Sequence, residues 1–206
     1  MSEQQWKSSE PVMKPPAPKL LLSDVQLIVF WALTNAIGLA LGFFLGIGVG
    51  SGAPNETIIA GAIISGIVIG WIEMLLLMLQ RVQVKWWWII NTTVAMFTWG
   101  AAYPLYQTTG VGVWSGLLMG LLLGLFQYIN LRNKVERASL WVVVNLVGWG
   151  AALALFPWLL SFIDLMLVWA ICGLIGGAIT GWTMSRLVHH PQWAVDEAPL
   201  RNDYQS

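Results

Sequence analysis

Long stretches without a formal charge decide what this chain can fold into. Three such stretches lie between charged residues: Lys85 to Arg132, Arg137 to Asp164, and Asp164 to Arg186. A transmembrane helix needs about 20 apolar residues, so these stretches have room for two spans, one span and one span. Two earlier apolar runs supply two more. The composition agrees, because 57% of the residues are hydrophobic and only 10% are charged, which is far from an ordinary soluble domain.

The predicted fold class is therefore an all-α integral membrane protein with six transmembrane helices. The alternation of polar and apolar positions that is typical of membrane strands is missing. The expected spans are about 25–50, 57–80, 86–107, 110–131, 139–160 and 164–186. They form one transmembrane domain over residues 23–187, flanked by polar cytoplasmic tails at 1–22 and 188–206, of which the first is predicted to be flexible.

All ten basic residues fall on one side of this plan. They are Lys7, Lys14, Lys19, Arg81, Lys85, Arg132, Lys134, Arg137, Arg186 and Arg201. The turns on the other side contain only Glu56 and Asp164 as charged residues. Because cytoplasmic loops are enriched in Lys and Arg, both termini are predicted to be cytoplasmic. The expected location is a bacterial cytoplasmic membrane or an internal membrane.

A motif repeats through the spans. Three Trp-x3-Asn pairs open the odd-numbered spans: Trp31 with Asn35, Trp87 with Asn91, and Trp141 with Asn145. Self-similarity at a fixed period indicates repeated structural units. The chain is thus predicted to contain three tandem two-helix hairpins. Such parallel copies are related by an axis along the membrane normal, which favours a pseudo-threefold bundle; the alternative is three hairpins in a row.

The even-numbered spans carry glycines at helical spacing. These ladder glycines are Gly66, Gly70, Gly112, Gly116, Gly120, Gly124, Gly173, Gly177 and Gly181. Residues four apart share one helix face, and small residues let two membrane helices approach closely. The ladders are predicted to be packing surfaces. The alternative is that a lipid or pigment lies in the grooves.

Five polar side chains form a predicted ring near the cytoplasmic side: Asn35, Glu73, Asn91, Gln127 and Asn145. Aligning Gly70 with Gly124 places Glu73 opposite Gln127, and the third copy then has Met184. Amides can fix helix register by bonding to a neighbouring helix. The alternative is a binding site or a narrow pathway. Glu73 favours this alternative, because a carboxylate inside a membrane is costly and is usually present for a function.

Five tryptophans are predicted to lie at the cytoplasmic interface, where the indole N–H groups can contact water. They are Trp31, Trp86, Trp87, Trp88 and Trp141.

No catalytic or metal-binding motif appears in the sequence, so the protein is predicted not to be an enzyme. His189 and His190 follow the last span, and neither a haem nor a metal is expected there. Cys172 is predicted to be a buried packing residue. The zero net charge gives no support for nucleic-acid binding.

The leading hypothesis is an accessory, assembly or stabilising subunit that associates with membrane lipids and with other subunits or itself. The alternative is a channel or transporter for ions or small solutes that uses Glu73 and the amides.

The membrane region resembles uncharacterised multi-pass membrane proteins of bacteria. The likeness rests on the glycine ladder before Gln127, the Leu131-Arg132 pair, and the segment from Trp141 through Asn145 to Trp149. In those proteins Gly–Gln–Leu-Arg and Trp–Asn–Gly-Trp segments recur in tandem. The resemblance implies two-helix repeats and no particular activity.

Overall fold

The computed structural model describes residues 20–50, 54–109 and 112–190 of the chain, with side chains described for residues 20–50, 56–98 and 112–190. Nearly all of the two predicted tails, and with them Lys7, Lys14, Lys19 and Arg201, lie outside the described residues.

Helices make up the described structure. They are α1 (Asp24–Val49), α2 (Pro54–Leu79), α3 (Trp87–Thr109), α4 (Val113–Leu131), α5 (Leu140–Ala154), α6 (Phe156–Leu160) and α7 (Leu165–Leu187). No strand occurs among these residues. The predicted all-α class is confirmed.

Among the described residues, five helical segments are long and apolar enough to cross a membrane, and α5 with α6 counts as one of them over Leu140–Leu160. Helix α3 has 23 residues, and its side chains are described only as far as Thr98. Large apolar side chains such as Ile37, Phe44 and Val147 are exposed on the outer surface. Such a surface suits lipid, whereas a soluble monomer rarely exposes large apolar patches.

Local signals explain where several helices begin and end. Ser23 caps α1 and forms a capping box with Gln26, which satisfies amide groups that the first turn leaves without partners. Asp164 caps α7 through its bond from the amide of Leu167. Pro157 has no N–H and its ring conflicts with a continuing α-helix, so α5 gives way to the short α6.

The long helices form a closed ring. Each packs against its neighbour along the chain, from α1 through α2, α3, α4 and α5 to α7, and α7 packs extensively against α1. Among the described residues, no two long helices meet across the ring. The centre of the described structure therefore holds only side chains and open space.

Ladder glycines contact the motif asparagines in three of these pairs, namely α2 with α3, α4 with α5, and α7 with α1. A Cβ atom added at Gly70, Gly124 or Gly177 would lie 3.0, 3.2 or 2.8 Å from the Cβ atom of Asn91, Asn145 or Asn35, respectively. Gly66, Gly120 and Gly173 lie one turn away and face the backbone carbonyls of the same asparagines. The predicted grooves are thus filled by neighbouring helices of the same chain. Gly112 differs, because it precedes α4 and faces open space.

The turns with the basic residues meet at one end of the ring, called here the basic end. There α1, α3 and α5 begin and α2, α4 and α7 end. Buried residues from all six long helices form one apolar cluster at this end, which includes Leu27, Leu77, Leu131 and Met184. A second cluster, which includes Leu39, Val94, Trp149 and Trp169, fills much of the other half. The basic end is closed by tight packing.

Arg81 ends α2 in a conformation that suits glycine. Its φ is 60°, and the amides of Arg81 and Val82 bond to the carbonyls of Met78 and Leu77, both at 2.9 Å. This is a Schellman turn, whose left-handed residue is usually glycine. We expect Arg81→Gly to raise the free energy of unfolding by about 1 kcal/mol, because the left-handed penalty of a side chain disappears. Thermal unfolding in detergent measures the change.

Arg132 provides the matched control. It also follows a helix at the basic end, but its φ of −53° is right-handed. Because this position is right-handed, glycine removes no backbone strain there, and it raises the conformational entropy of the unfolded chain. Arg132→Gly is therefore expected to lower stability slightly. Equal effects of the two substitutions would contradict the strain at Arg81.

Candidate functional site: a buried polar ring

The structure brings the five residues of the predicted ring together. Asn35, Glu73, Asn91, Gln127 and Asn145 are each only 2–4% exposed, and all five line one small cavity at the centre of the helix ring. They come from five different helices. Counting residues inward from the basic turns predicts a common level for Asn91, Gln127 and Asn145, with Asn35 and Glu73 somewhat deeper.

Glu73 lies at the centre of the hydrogen bonds. Its Oε1 accepts a bond from Asn35 Nδ2 at 2.9 Å. Its Oε2 accepts bonds from Trp87 Nε1 at 3.0 Å and from Asn91 Nδ2 at 3.3 Å. A buried carboxylate is costly unless donors surround it, and here three neutral donors on two other helices do so.

The Trp-x3-Asn motif has a direct structural reason. Asn35, Asn91 and Asn145 each donate from Nδ2 to the backbone carbonyl four residues earlier, which belongs to the tryptophan of the same pair, at 2.9, 3.3 and 2.9 Å. A side chain that bonds to the i−4 carbonyl is held against its own helix. The motif thus fixes the rotamer of each asparagine and leaves its Oδ1 available to other groups.

Gln127 extends the network to α5. Trp141 Nε1 donates to Gln127 Oε1 at 2.8 Å, and Gln127 Nε2 donates to Asn91 Oδ1 at 2.9 Å. Asn91 in turn donates to Glu73. The bonds from Trp141 through Gln127 and Asn91 therefore run in one direction, and this chain of bonds ends on the carboxylate of Glu73. The amide groups of Gln127 and Asn91 are each oriented so that the oxygen accepts a hydrogen bond and the nitrogen donates one.

Three tryptophans belong to this site and were placed wrongly by the interface interpretation. Trp31, Trp87 and Trp141 are fully buried, in contrast to Trp86, which is 66% exposed. The ring centroid of Trp141 lies 6.0 Å from that of Trp31 and 6.3 Å from that of Trp87. The three indoles close the ring of helices between the polar residues and the basic end. The signal in the sequence was a spacing of 14 residues from Glu73 to Trp87 and from Gln127 to Trp141.

The third position of the network is held by Thr180 and not by Met184. Gly177 faces Asn35 as Gly70 faces Asn91, and Thr180 follows Gly177 by three residues as Glu73 follows Gly70. Met184 lies in the apolar cluster at the basic end. The alignment on Gly181 was one helical turn off, because the run of glycines in α7 offers two registers.

Thr180 is too short to replace a glutamine. Its hydroxyl donates to the carbonyl of Gly176 in its own helix at 2.9 Å. Trp31 Nε1, which corresponds to the indole donors of Trp87 and Trp141, is buried and has no hydrogen-bond partner in the described structure. The polar network therefore has a gap between α7 and α1.

Two cavities adjoin at the centre. The small polar cavity has a volume of about 10 Å³, which is room for one water-sized group. The larger cavity, of about 200 Å³, lies on the side away from the basic end. Asn35, Asn91, Leu123 and Trp149 line both, so the polar ring is the floor of the larger cavity.

The walls of the larger cavity are mostly apolar. They include Leu39, Phe43, Ala95, Met119 and Trp169. Ser65 also lines the wall, but its hydroxyl is bonded to the carbonyl of Gly61 at 2.8 Å. An apolar chamber with a few polar groups at one end is the usual form of a site for a small organic molecule.

The histidines and the cysteine lie outside the polar ring. In the described parts of the chain no three His, Cys, Asp or Glu side chains gather at one point. His189 pairs with Asp24 at 2.7 Å near the surface. Cys172 is buried, with its Sγ 3.2 Å from the carbonyl of Ala152.

Comparison with known proteins gave no match to a family model, to a curated protein or to a solved structure.

Proposed function

We propose that this is a non-enzymatic integral membrane protein that binds a small apolar or amphipathic molecule, such as part of a lipid or pigment, in its central cavity. It acts by association, as an accessory or stabilising subunit of a larger membrane assembly. The observation that carries the proposal is the chamber of about 200 Å³ with apolar walls and a polar floor. The glycine grooves are filled by the chain's own helices, so the ligand belongs at the centre.

In the proposed architecture, three tandem hairpins lie around a pseudo-threefold axis, and α3 is the sixth transmembrane span. The equivalent contacts of Gly70, Gly124 and Gly177 support the repeat. The exposed arginines and lysines at the basic end support a cytoplasmic orientation for that end. In this arrangement the cavity lies in the half of the protein away from the cytoplasm of the bacterial cell, or in the corresponding half of an internal membrane.

Filling the cavity tests the proposal. We expect Ala95→Phe to displace the bound molecule, because residue 95 lines the chamber and a benzyl group takes up much of its volume. The full chain is purified in mild detergent, and molecules that remain bound are detected by native mass spectrometry and organic extraction. Wild-type protein is expected to carry a stoichiometric small molecule, and the Ala95→Phe variant is expected to lose most of it.

Ala151→Phe is the matched control, because Ala151 is exposed on the outer surface of α5. This variant should keep the bound molecule. Equal occupancy in the two variants, or no bound molecule in the wild type, would contradict a central binding site.

A second candidate function is transport of an ion or small solute, and the buried carboxylate of Glu73 below an open cavity favours it. Against it, the indoles and the apolar cluster close the basic end in this structure. Solute flux in liposomes that disappears in Glu73→Gln while the fold is retained would support transport over binding.

A further inference from the structure

The gap in the polar network has a defined chemistry. On one side is the indole donor of Trp31, which has no partner in the described structure. On another side is Asn145, whose amide nitrogen is bonded to the carbonyl of Trp141, so its Oδ1 is the acceptor that this side chain offers to the cavity it lines. Both residues line the cavity of about 10 Å³, together with Thr180. The gap thus offers one donor and one acceptor to a single small group.

The corresponding positions show what such a group must do. At Gln127 the side-chain oxygen accepts from an indole and the nitrogen donates to the Oδ1 of an asparagine. A group in the gap must likewise accept from Trp31 and donate to Asn145. A hydroxyl does both with one oxygen atom. An ether or a carbonyl oxygen can only accept, and an ammonium group can only donate.

We propose that this gap is a hydroxyl-binding site for an apolar alcohol whose chain lies in the larger cavity. The two cavities share Asn35, Asn91, Leu123 and Trp149, so a molecule in the apolar chamber can place its end in the gap. In the absence of the alcohol, a water molecule supplies the same O–H. The inference rests on the proposed binding function and names the ligand class.

Three probes of equal heavy-atom number separate the chemistry of the site from simple burial. They are 1-octanol, which donates and accepts, heptyl methyl ether, which only accepts, and n-nonane, which does neither. The full chain in lipid nanodiscs is exposed to each probe at the same mole fraction in the bilayer, and the rise in Tm is measured. We expect 1-octanol to raise Tm most, the ether less, and n-nonane least.

Thr180→Gln completes the network within the chain. Its amide is placed to accept from Trp31 and to donate to Asn145, as Gln127 does for Trp141 and Asn91. We expect this variant to have a higher Tm without any probe. We also expect it to bind 1-octanol about tenfold less tightly, because about two modest hydrogen bonds to the alcohol are lost.

Met184→Gln is the matched control, one turn further along α7. It places the same amide in the apolar cluster at the basic end, so it should lower Tm and leave the preference for 1-octanol unchanged. Trp31→Phe gives an independent reading if Thr180→Gln does not fold. It removes the indole donor and should reduce the advantage of both oxygen-containing probes over n-nonane.

Each other outcome overturns a defined part of the proposal. Equal rises in Tm for the three probes would refute the hydroxyl site and leave the central cavity as a binding site. A stabilising Thr180→Gln without any preference for 1-octanol would mean that the gap holds water only. If no probe raises Tm and Ala95→Phe retains all bound molecules, the binding function itself is wrong.

Discussion

Gln127→Leu is expected to lower the free energy of unfolding by about 3 kcal/mol, although leucine is more apolar than glutamine. The change leaves two buried groups without partners, namely the indole N–H of Trp141 and the Oδ1 of Asn91. Each buried polar group that loses its partner costs about 1–3 kcal/mol. Inside a membrane no bulk water can take the place of the amide. Reversible unfolding in a mixed micelle measures the loss.

Gln80→Leu is the control for the chemistry of the substitution. Gln80 is equally buried, but it makes a single bond, from Nε2 to the carbonyl of Leu22 at 3.0 Å, and its Oε1 is already without a partner in the described structure. We expect a loss of about 1 kcal/mol or less. If the two glutamines cost the same, the network does not stabilise the ring of helices in the way argued.

Gly120→Ala is expected to destabilise the bundle by about 3 kcal/mol, at the upper end of the usual cost of overpacking. A Cβ atom at position 120 would collide with the backbone carbonyl of Asn145 and lie 2.8 Å from the Cα atom of Leu146. Neither is the end of a flexible side chain, so α4 and α5 must move apart. Their separation would also displace Asn145 from the polar ring. Thermal unfolding and the retention of bound molecules both report the effect.

Gly48→Ala is the opposite case in a helix of the same bundle. A Cβ atom there meets nothing within 4 Å, and alanine favours the helical backbone by up to about 1 kcal/mol relative to glycine. Stability should be unchanged or slightly higher. A large loss at position 48, or a negligible one at position 120, would show that helix contact does not decide which glycines are required.

The sequence predicted the residues of the site better than it predicted their bonds. Charge-free stretches and basic turns locate the helices, and counting inward from those turns puts Asn91, Gln127 and Asn145 at one level. The sequence does not show which side chains of one helix face a neighbouring helix. A tryptophan near a basic turn is therefore predicted to lie at the membrane interface. Trp87 and Trp141 are instead turned inward by the packing of α2 on α3 and of α4 on α5, where Glu73 and Gln127 accept their N–H groups.

The cavity and the gap could not be predicted, because both depend on closure of the ring. The larger cavity exists only because α7 returns to α1 and no helix crosses the centre. The gap depends on whether Gly177 or Gly181 meets Asn35, which two glycines four apart leave undecided in the sequence. Side-chain length then decides whether a gap remains. Thr180 bonds to a carbonyl of its own helix, whereas a glutamine at this position would reach Trp31 and Asn145.

The contact between α7 and α1 also has a consequence for biogenesis. The face of α1 that carries Ala32, Asn35 and Ala36 is matched by Gly173 and Gly177, which are synthesised last among the described helices. The carboxylate of Glu73, in contrast, has all its donors as soon as α3 has been inserted. The nascent chain can thus supply all the hydrogen-bond donors of this carboxylate early. The face of α1 that packs on α7 gains its partner helix only after α2 to α5 have been made.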